Sequence, residues 1–464
     1  MSEIVLNPRS REDRRVALAT LVGTSIEWYD FFIYANATAL VLAPLYFEPF
    51  TASGSELAGR ILGFATLGIG FLFRPLGAIV AGHLGDKIGR KSMLVATLLV
   101  MGVSTALIGI VPTHAQIGVT APLLLVLLRI LQGFSAGGEW GGAALMAVEH
   151  APAAKRGLFG GFPQIGVPIG MLIATAVLAI ITATTTDAQF LAWGWRVPFL
   201  LSIVLVVIGL VIRLGVSESP VFQKMAQAAS HEQVRLPVVQ VLRFCWPAIV
   251  LGALTFAANN ANGYMITGGY ILSYSTSELG LDRTPVLNMV LLASAAWGVT
   301  TMAGAILSDR IGRMAVYRIG FVWMILWAFP LFLLIDSADV GSIGLAMVVA
   351  SVGLGFTYGP QAALFTEMFP AQVRFSGAAL AYAAGAIVGG AFAPLIATWL
   401  QATFQTSAAV STYLAFMAAI GLVASLIIRD RTGRPLDASA TDIPGAAALN
   451  RELSRGSNGR HRLG

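Results

Sequence analysis

The chain has 464 residues, of which 56% are hydrophobic and only 11% charged, against roughly 25% charged in soluble domains. With a mean hydropathy of +0.78, it is excluded from the ordinary soluble enzymes, and a net charge of +6 spread between apolar runs does not make the basic stripe of a nucleic-acid binder. The single cysteine, Cys245, rules out an intrachain disulfide framework and a cysteine-based metal site, the histidines (His83, His114, His150, His231, His461) are scattered, and no catalytic constellation is visible; neither metal, cofactor nor enzyme activity is expected.

Residues 1–16 are polar and basic and are read as a cytoplasmic segment. The first apolar run, about 17–47, contains Glu27 and Asp30 and ends at no small-residue cleavage site, so it reads as a retained span, not a secretory signal. A span needs ~20 apolar residues. Further candidates follow at about 57–81, 92–112, 121–148, 157–183 and 194–216, then at 240–274, 286–307, 316–335, 341–366, 376–402 and 408–428. The expected fold is all-α, with twelve transmembrane helices in two pseudo-symmetric bundles, residues 17–217 and 238–428. Residues 218–237 are the longest polar interruption and read as a cytoplasmic linker, and residues 429–464 read as a disordered cytoplasmic tail. All the lysines and arginines except Arg60, Arg196, Arg283, Arg74 and Arg129 fall on one side of this topology. The positive-inside rule then places both termini in the cytoplasm of a multi-pass cell-membrane protein.

The halves carry marks of duplication. The loop Asp86-Lys87-Ile88-Gly89-Arg90, preceded by Gly82 and Gly85, recurs 223 residues later as Asp309-Arg310-Ile311-Gly312-Arg313. Glu149 and Arg156 after the fourth span recur as Glu367 and Arg374 after the tenth, at an offset of 218. These loops resemble the signature of the major facilitator superfamily, which lies between helices 2 and 3 and recurs between 8 and 9. The segments Glu27-Trp28-Tyr29-Asp30, Arg129-Ile130-Leu131-Gln132-Gly133 and Gly137-Gly138-Glu139-Trp140-Gly141-Gly142 are similar to the metabolite:proton symporter family. Its members carry citrate, oxoglutarate, shikimate, or proline and betaine. Thr185-Thr186-Asp187-Ala188-Gln189-Phe190-Leu191 looks most like the shikimate-permease branch. The resemblance implies a proton-coupled importer of a small organic anion working by alternating access, with a shikimate-like hydroxylated monocarboxylate as the first expectation, a di- or tricarboxylate as the second and a drug antiporter as the third. A monomer in the lipid bilayer is expected, with the anion and protons as its partners.

An ionisable residue at membrane depth costs ~2.5–3.5 kcal/mol even on insertion scales and is functional unless paired. Glu27, Asp30, Arg74, Arg129 and Glu139 are such residues, and Glu27, Asp30 and Tyr34 share one helical face by their spacing. The offsets set Arg74 against Trp297, Arg129 against Met347 and Glu139 against Thr357, so the second half lacks these charges. Asp30, with Glu27 as alternate, is expected to exchange an arginine partner, Arg129, for a proton, with Glu139 as a further proton site. Arg74 is expected to contact the substrate carboxylate. Tyr34, Asn259, Asn260, Tyr264, Tyr358, Gln361 and Arg196 are candidate substrate contacts, the last competing with a role as an interfacial anchor. Gly85, Asp86, Arg90, Asp309 and Arg313, with Glu149 acting with Arg156 and Glu367 with Arg374, are expected to gate the cytoplasmic end.

Overall fold

The computed structural model describes residues 8–47, 56–88, 90–137, 139–149, 151–214, 237–267, 269–370, 373–434 and 436, without the side chains of residues 8–20, 39, 56, 78, 81–94, 146, 213–214, 237–239, 267 and 375. Among the described residues there is no β-strand. Helices are what the composition demands, since hydrocarbon offers backbone polar groups no partner outside their own segment.

Among the described residues eight helices are long and apolar enough to cross a membrane, and two bent pairs, the shorter Val95–Ile110 and Trp246–Thr267 bring the set to twelve. α1 is Leu21–Ala37 with a continuation, Leu40–Phe47, bent by 63°. α2 is Leu57–Gly77, α3 is Val95–Ile110, α4 is Thr120–Glu149 and α5 is Ala153–Thr184, while α6, Arg196–Ile212, follows Asp187–Gly194 at a 43° bend. α7, Trp246–Thr267, carries Asn259, Asn260 and Asn262. α8 (Arg283–Ile311), α9 (Arg313–Ile335), α10 (Val340–Met368), α11 (Ser376–Phe404) and α12 (Ser407–Ile427) complete the set.

Packing repeats the sequence duplication. In the first half α1 lies on α5, α2 on α4 and α3 on α6; in the second, α7 lies on α11, α8 on α10 and α9 on α12. The halves meet where α5 packs on α8 and α2 on α11, which are again equivalent pairs. Small residues permit these contacts, because lipid supplies no hydrophobic force between helices and close backbone approach must supply it instead. At Gly170 on α5 a Cβ would stand 2.6 Å from the Ser25 carbonyl of α1, and at Gly389 on α11 one would stand 2.0 Å from the Ala257 carbonyl of α7. These obstacles are backbone atoms and cannot rotate away. Gly389→Val and Gly170→Val are each expected to cost about 1–3 kcal/mol by overpacking, read as a lowered thermal midpoint of the purified protein in detergent.

Candidate functional site

The structure gathers most of the membrane-depth charges into one cavity of about 320 Å³ inside the first half, lined by Glu27, Asp30, Phe31, Gly70, Phe71, Arg74, Met101, Arg129, Gln132, Gly133 and Ala136. The expected pairing of Asp30 with Arg129 is not made. Arg129 donates from Nη1 to Gln132 Oε1 at 2.7 Å and lies over the rings of Tyr34 and Phe31, 4.3 and 5.6 Å from their centroids. Gln132 passes the interaction on to Thr105 Oγ1 at 2.7 Å, whose own proton goes to the Met101 carbonyl. Asp30 is 1% exposed and makes no ion pair with either arginine; the Thr105 hydroxyl stands beside it. The physical reason is competition: aromatic faces and an amide hold the guanidinium, leaving the carboxylate without an arginine.

Arg74 is likewise held by aromatic faces, 4.5 Å from the Phe71 centroid and 5.3 Å from that of Trp28. Its charge reaches Tyr264 and Tyr382 across the interface between the halves. Two of the expected residues sit elsewhere. Tyr34 is packed beneath Arg129 with its hydroxyl bonded to Thr66 Oγ1 at 2.6 Å, outside the cavity. Glu139 is buried within α4 but does not line this cavity.

A second cavity, of about 300 Å³, lies between the halves and is lined by Trp28, Phe32, Val167, Phe256, Asn259, Asn260, Gly263, Tyr264, Trp297, Leu354, Tyr358 and Tyr382. No charged side chain lines it. Its polar atoms are mostly unused: Trp28 Nε1, Trp297 Nε1, Asn260 Nδ2 and the hydroxyls of Tyr358 and Tyr382 are buried without partners. Gln361 stands beside it with a free Nε2 while its Oε1 accepts from Gln164 at 3.4 Å. Asn259 is already committed to Thr357 Oγ1 at 2.6 Å. Arg196 lines neither cavity. Its Nη1 caps the end of α3 through the carbonyls of Gly109 and Val111 at 2.8 and 2.9 Å, and its guanidinium lies over Trp195, the geometry of an anchor. Trp28, Trp297 and Phe256 were not singled out from the sequence as lining residues, although Trp297 occupies the repeat position of Arg74.

At the tail-bearing end, the halves are bridged by charges whose partners differ from the within-half assignment. Glu149 pairs with Arg374 at 3.0 Å, and Arg156 stands 3.9 Å from Glu367, so each half supplies one member of each pair. Arg313, fully buried, binds Asp309 at 2.7 Å and Glu367 at 3.3 Å. Asp309 also accepts from the backbone N–H groups of Gly157 and Leu158 at 2.7 and 2.8 Å, capping α5 of the other half. The side chains of Asp86 and Arg90, and Gly85, lie outside the described residues. The first tail residues are docked, contrary to the expectation of disorder from residue 429: Arg434 O accepts from Arg156 and Leu436 O from Arg374, both at 2.6 Å, and Asp430 accepts from Met314 N at 2.9 Å.

The opposite end is bridged too. Arg60 on α2 donates to Glu278 at 2.6 Å, and Arg283 on α8 stands 3.1 Å from Asp187. The sequence reading had used Arg60 and Arg283 for topology alone. Both ends are thus tied across the halves, with the two cavities between them.

The sequence profile described as Major Facilitator Superfamily matches residues 21–387. The chain belongs to the major facilitator superfamily. It is 42% identical to the inner membrane metabolite transport protein YhjE of Escherichia coli K12 and 39% identical to the shikimate transporter of that organism, in each case over 90% of this chain and 94% of the relative. The proline/betaine transporter of E. coli K12 is 32% identical over 94% of this chain and 88% of its own. The fold matches the proton:xylose symporter XylE with a TM-score of 0.72 at 17% identity, covering 95% of this chain and 99% of that one. This superfamily member is therefore a multi-pass membrane transporter of metabolites, and the two cavities lie where its halves meet and within its first half.

Asp309→Asn removes the ionised acceptor that joins the halves at the tail-bearing end. Charge-assisted hydrogen bonds contribute about 1.5–3 kcal/mol each, so the closed-to-open ratio at that end is expected to fall roughly ten- to a hundredfold. The measurement is the rate at which an impermeant thiol reagent labels a cysteine placed at Ala305 in a Cys245→Ser background.

Proposed function

We propose that this transporter imports a small organic anion together with protons, with Asp30 as the proton carrier and the cavity between the halves as the substrate site. The carrying observation is that Asp30 is fully buried without an arginine partner, in a cavity that also holds Glu27 and two guanidiniums. A bare carboxylate in such a place is penalised by several kcal/mol, whereas the neutral acid is tolerated. Asp30 therefore passes through the closed arrangement as the acid and gives up its proton when the halves part and water, or Arg129, reaches it. A metal cation fits this cavity poorly, since Arg74 and Arg129 repel it and among the described residues no cluster of three metal-ligating side chains occurs.

The substrate cavity favours a hydroxylated monocarboxylate of the shikimate type. Its unpartnered atoms are donors or hydroxyls, suited to an oxygen-rich ligand. Its lining is neutral, and Arg74, reached past Trp28, is the nearby cation for one carboxylate. A tricarboxylate would bring more charge than this cavity compensates. The relatives' printed substrates, shikimate on one side and proline or betaine on the other, bracket the same size of ligand. With the basic loops inside, the tail-bearing end faces the cytoplasm of a cell-membrane transporter.

Uptake into proteoliposomes with an imposed pH gradient tests this directly, across shikimate, oxoglutarate, citrate and proline. One proton per monovalent anion supports about tenfold accumulation per pH unit; absence of pH-driven accumulation of every organic acid overturns the reading. Asp30→Asn is expected to abolish uphill accumulation while exchange of internal for external substrate continues. Arg74→Ala is expected to raise the apparent substrate constant about ten- to a hundredfold, the loss of one charge-assisted contact of about 1.5–3 kcal/mol, with an unchanged constant moving the carboxylate contact elsewhere.

A further inference from the structure

The two cavities are close neighbours, yet three rings stand between them. Phe31 of α1 and Phe71 of α2 line the charged cavity, and Tyr264 of α7 lines the neutral one. They meet edge to face in a closed triangle, with centroids 5.4 Å apart for Phe31–Phe71, 5.7 Å for Phe31–Tyr264 and 5.6 Å for Phe71–Tyr264. All three are buried. Edge-to-face rings at this spacing pack with no room for water, and the Arg74 guanidinium lies against the Phe71 ring and the neighbouring Trp28. Two rings belong to the first half and the third to the second half, so the triangle exists only while the halves are together.

We propose that Phe31, Phe71 and Tyr264 form an aromatic seal that keeps the proton-binding cavity apart from the substrate cavity in the closed state, and that parting of the halves breaks it by withdrawing Tyr264. This rests on the proton-coupled reading above and adds a role for residues that touch neither Asp30 by hydrogen bond nor a charge of their own. A coupled transporter must not let protons cross alone. An open path from Asp30 into a cavity rich in unpartnered tyrosine, tryptophan and asparagine groups would hold water, since polar, roomy sites fill, and water would carry protons past the substrate. The seal leaves Arg74 as the communication between the sites: a substrate carboxylate beside Trp28 attracts the guanidinium and changes the field at Asp30 without a continuous file of water.

The experiment uses the full-length protein in liposomes loaded with a pH-sensitive dye. Without substrate, an inward pH gradient is expected to acidify vesicles containing Tyr264→Ala or Phe71→Ala faster than wild-type vesicles, which stay at the protein-free rate. The proton-to-substrate ratio, from paired dye and radiolabel measurements, is expected to be disturbed in both, while Tyr264→Phe, which keeps the ring, retains tight coupling. A structural defect alone would lower transport and leave the substrate-free rate at baseline. Should the alanine variants not be recovered folded, Tyr264→Leu and Phe71→Leu preserve apolar bulk and are expected to leak less than alanine but more than wild type. Baseline acidification and an unchanged ratio in folded alanine or leucine variants overturn the seal. Failure of wild-type vesicles to acidify on substrate addition would instead overturn the proton-coupled reading itself.

Discussion

Hydrocarbon solvates neither a charge nor a free backbone group, and the arrangement of this protein follows from that. Backbone groups are satisfied inside helices, and the helices are drawn together through glycine and alanine faces. The charges that remain at membrane depth need neighbours inside the protein. Arg74 and Arg129 find aromatic faces and an amide. Asp30 finds no arginine. That inequality gives the charged cavity its chemistry: two cations held in place beside two acids, Glu27 and Asp30, the latter with no arginine partner.

The repeat is symmetric in packing and asymmetric in chemistry. The same three helix pairs recur in each half, but the position of Arg74 is Trp297 in the second half, where it lies 5.5 Å from Tyr358 and lines a neutral cavity. Thr357, at the position of Glu139, serves Asn259 instead of holding a charge. Duplication supplied two frames, and substitution at a few interior positions turned one toward charge and the other toward hydrogen-bond donors. Placing the acid and the polar cavity side by side, with rings between, lets one influence the other electrostatically.

The ends obey a different rule. At the tail-bearing end the halves are joined by the buried Arg156–Glu367 pair and by Arg374 with the 39% exposed Glu149, and a buried pair is costly to break because it leaves an unpaired charge. The backbone carbonyls of Arg434 and Leu436 accept from Arg156 and Arg374, adding acceptors to arginines that already pair across the halves. At the opposite end the bridge partners Glu278 and Asp187 are exposed, so they contribute less. The Arg156–Glu367 and Arg313–Glu367 contacts of the tail-bearing end are more deeply buried than either bridge of the opposite end.

The sequence by itself determined the twelve helices, the duplication and the lopsided placement of charge, because these depend on local composition and on spacing along one helix. The bracketing of Asp30, Arg74 and Arg129 into one cavity was legible in the same way, as was the neutral character of Asn260, Tyr264 and Tyr358. What only the tertiary structure decided was partnership. Glu149 and Arg156, near each other in the chain, pair across the halves with Arg374 and Glu367 because the pseudo-symmetry brings equivalent loops face to face. Arg129 rests on Tyr34 and Gln132, not on Asp30, because an adjacent ring and amide compete for it. Tyr34 and Arg196 are absorbed into packing and capping. Among the described tail residues, Asp430, Arg434 and Leu436 are docked, because backbone carbonyls need no particular side chain to accept from an arginine. Such choices are made by distances between helices that are remote in sequence, and no pattern along the chain encodes them.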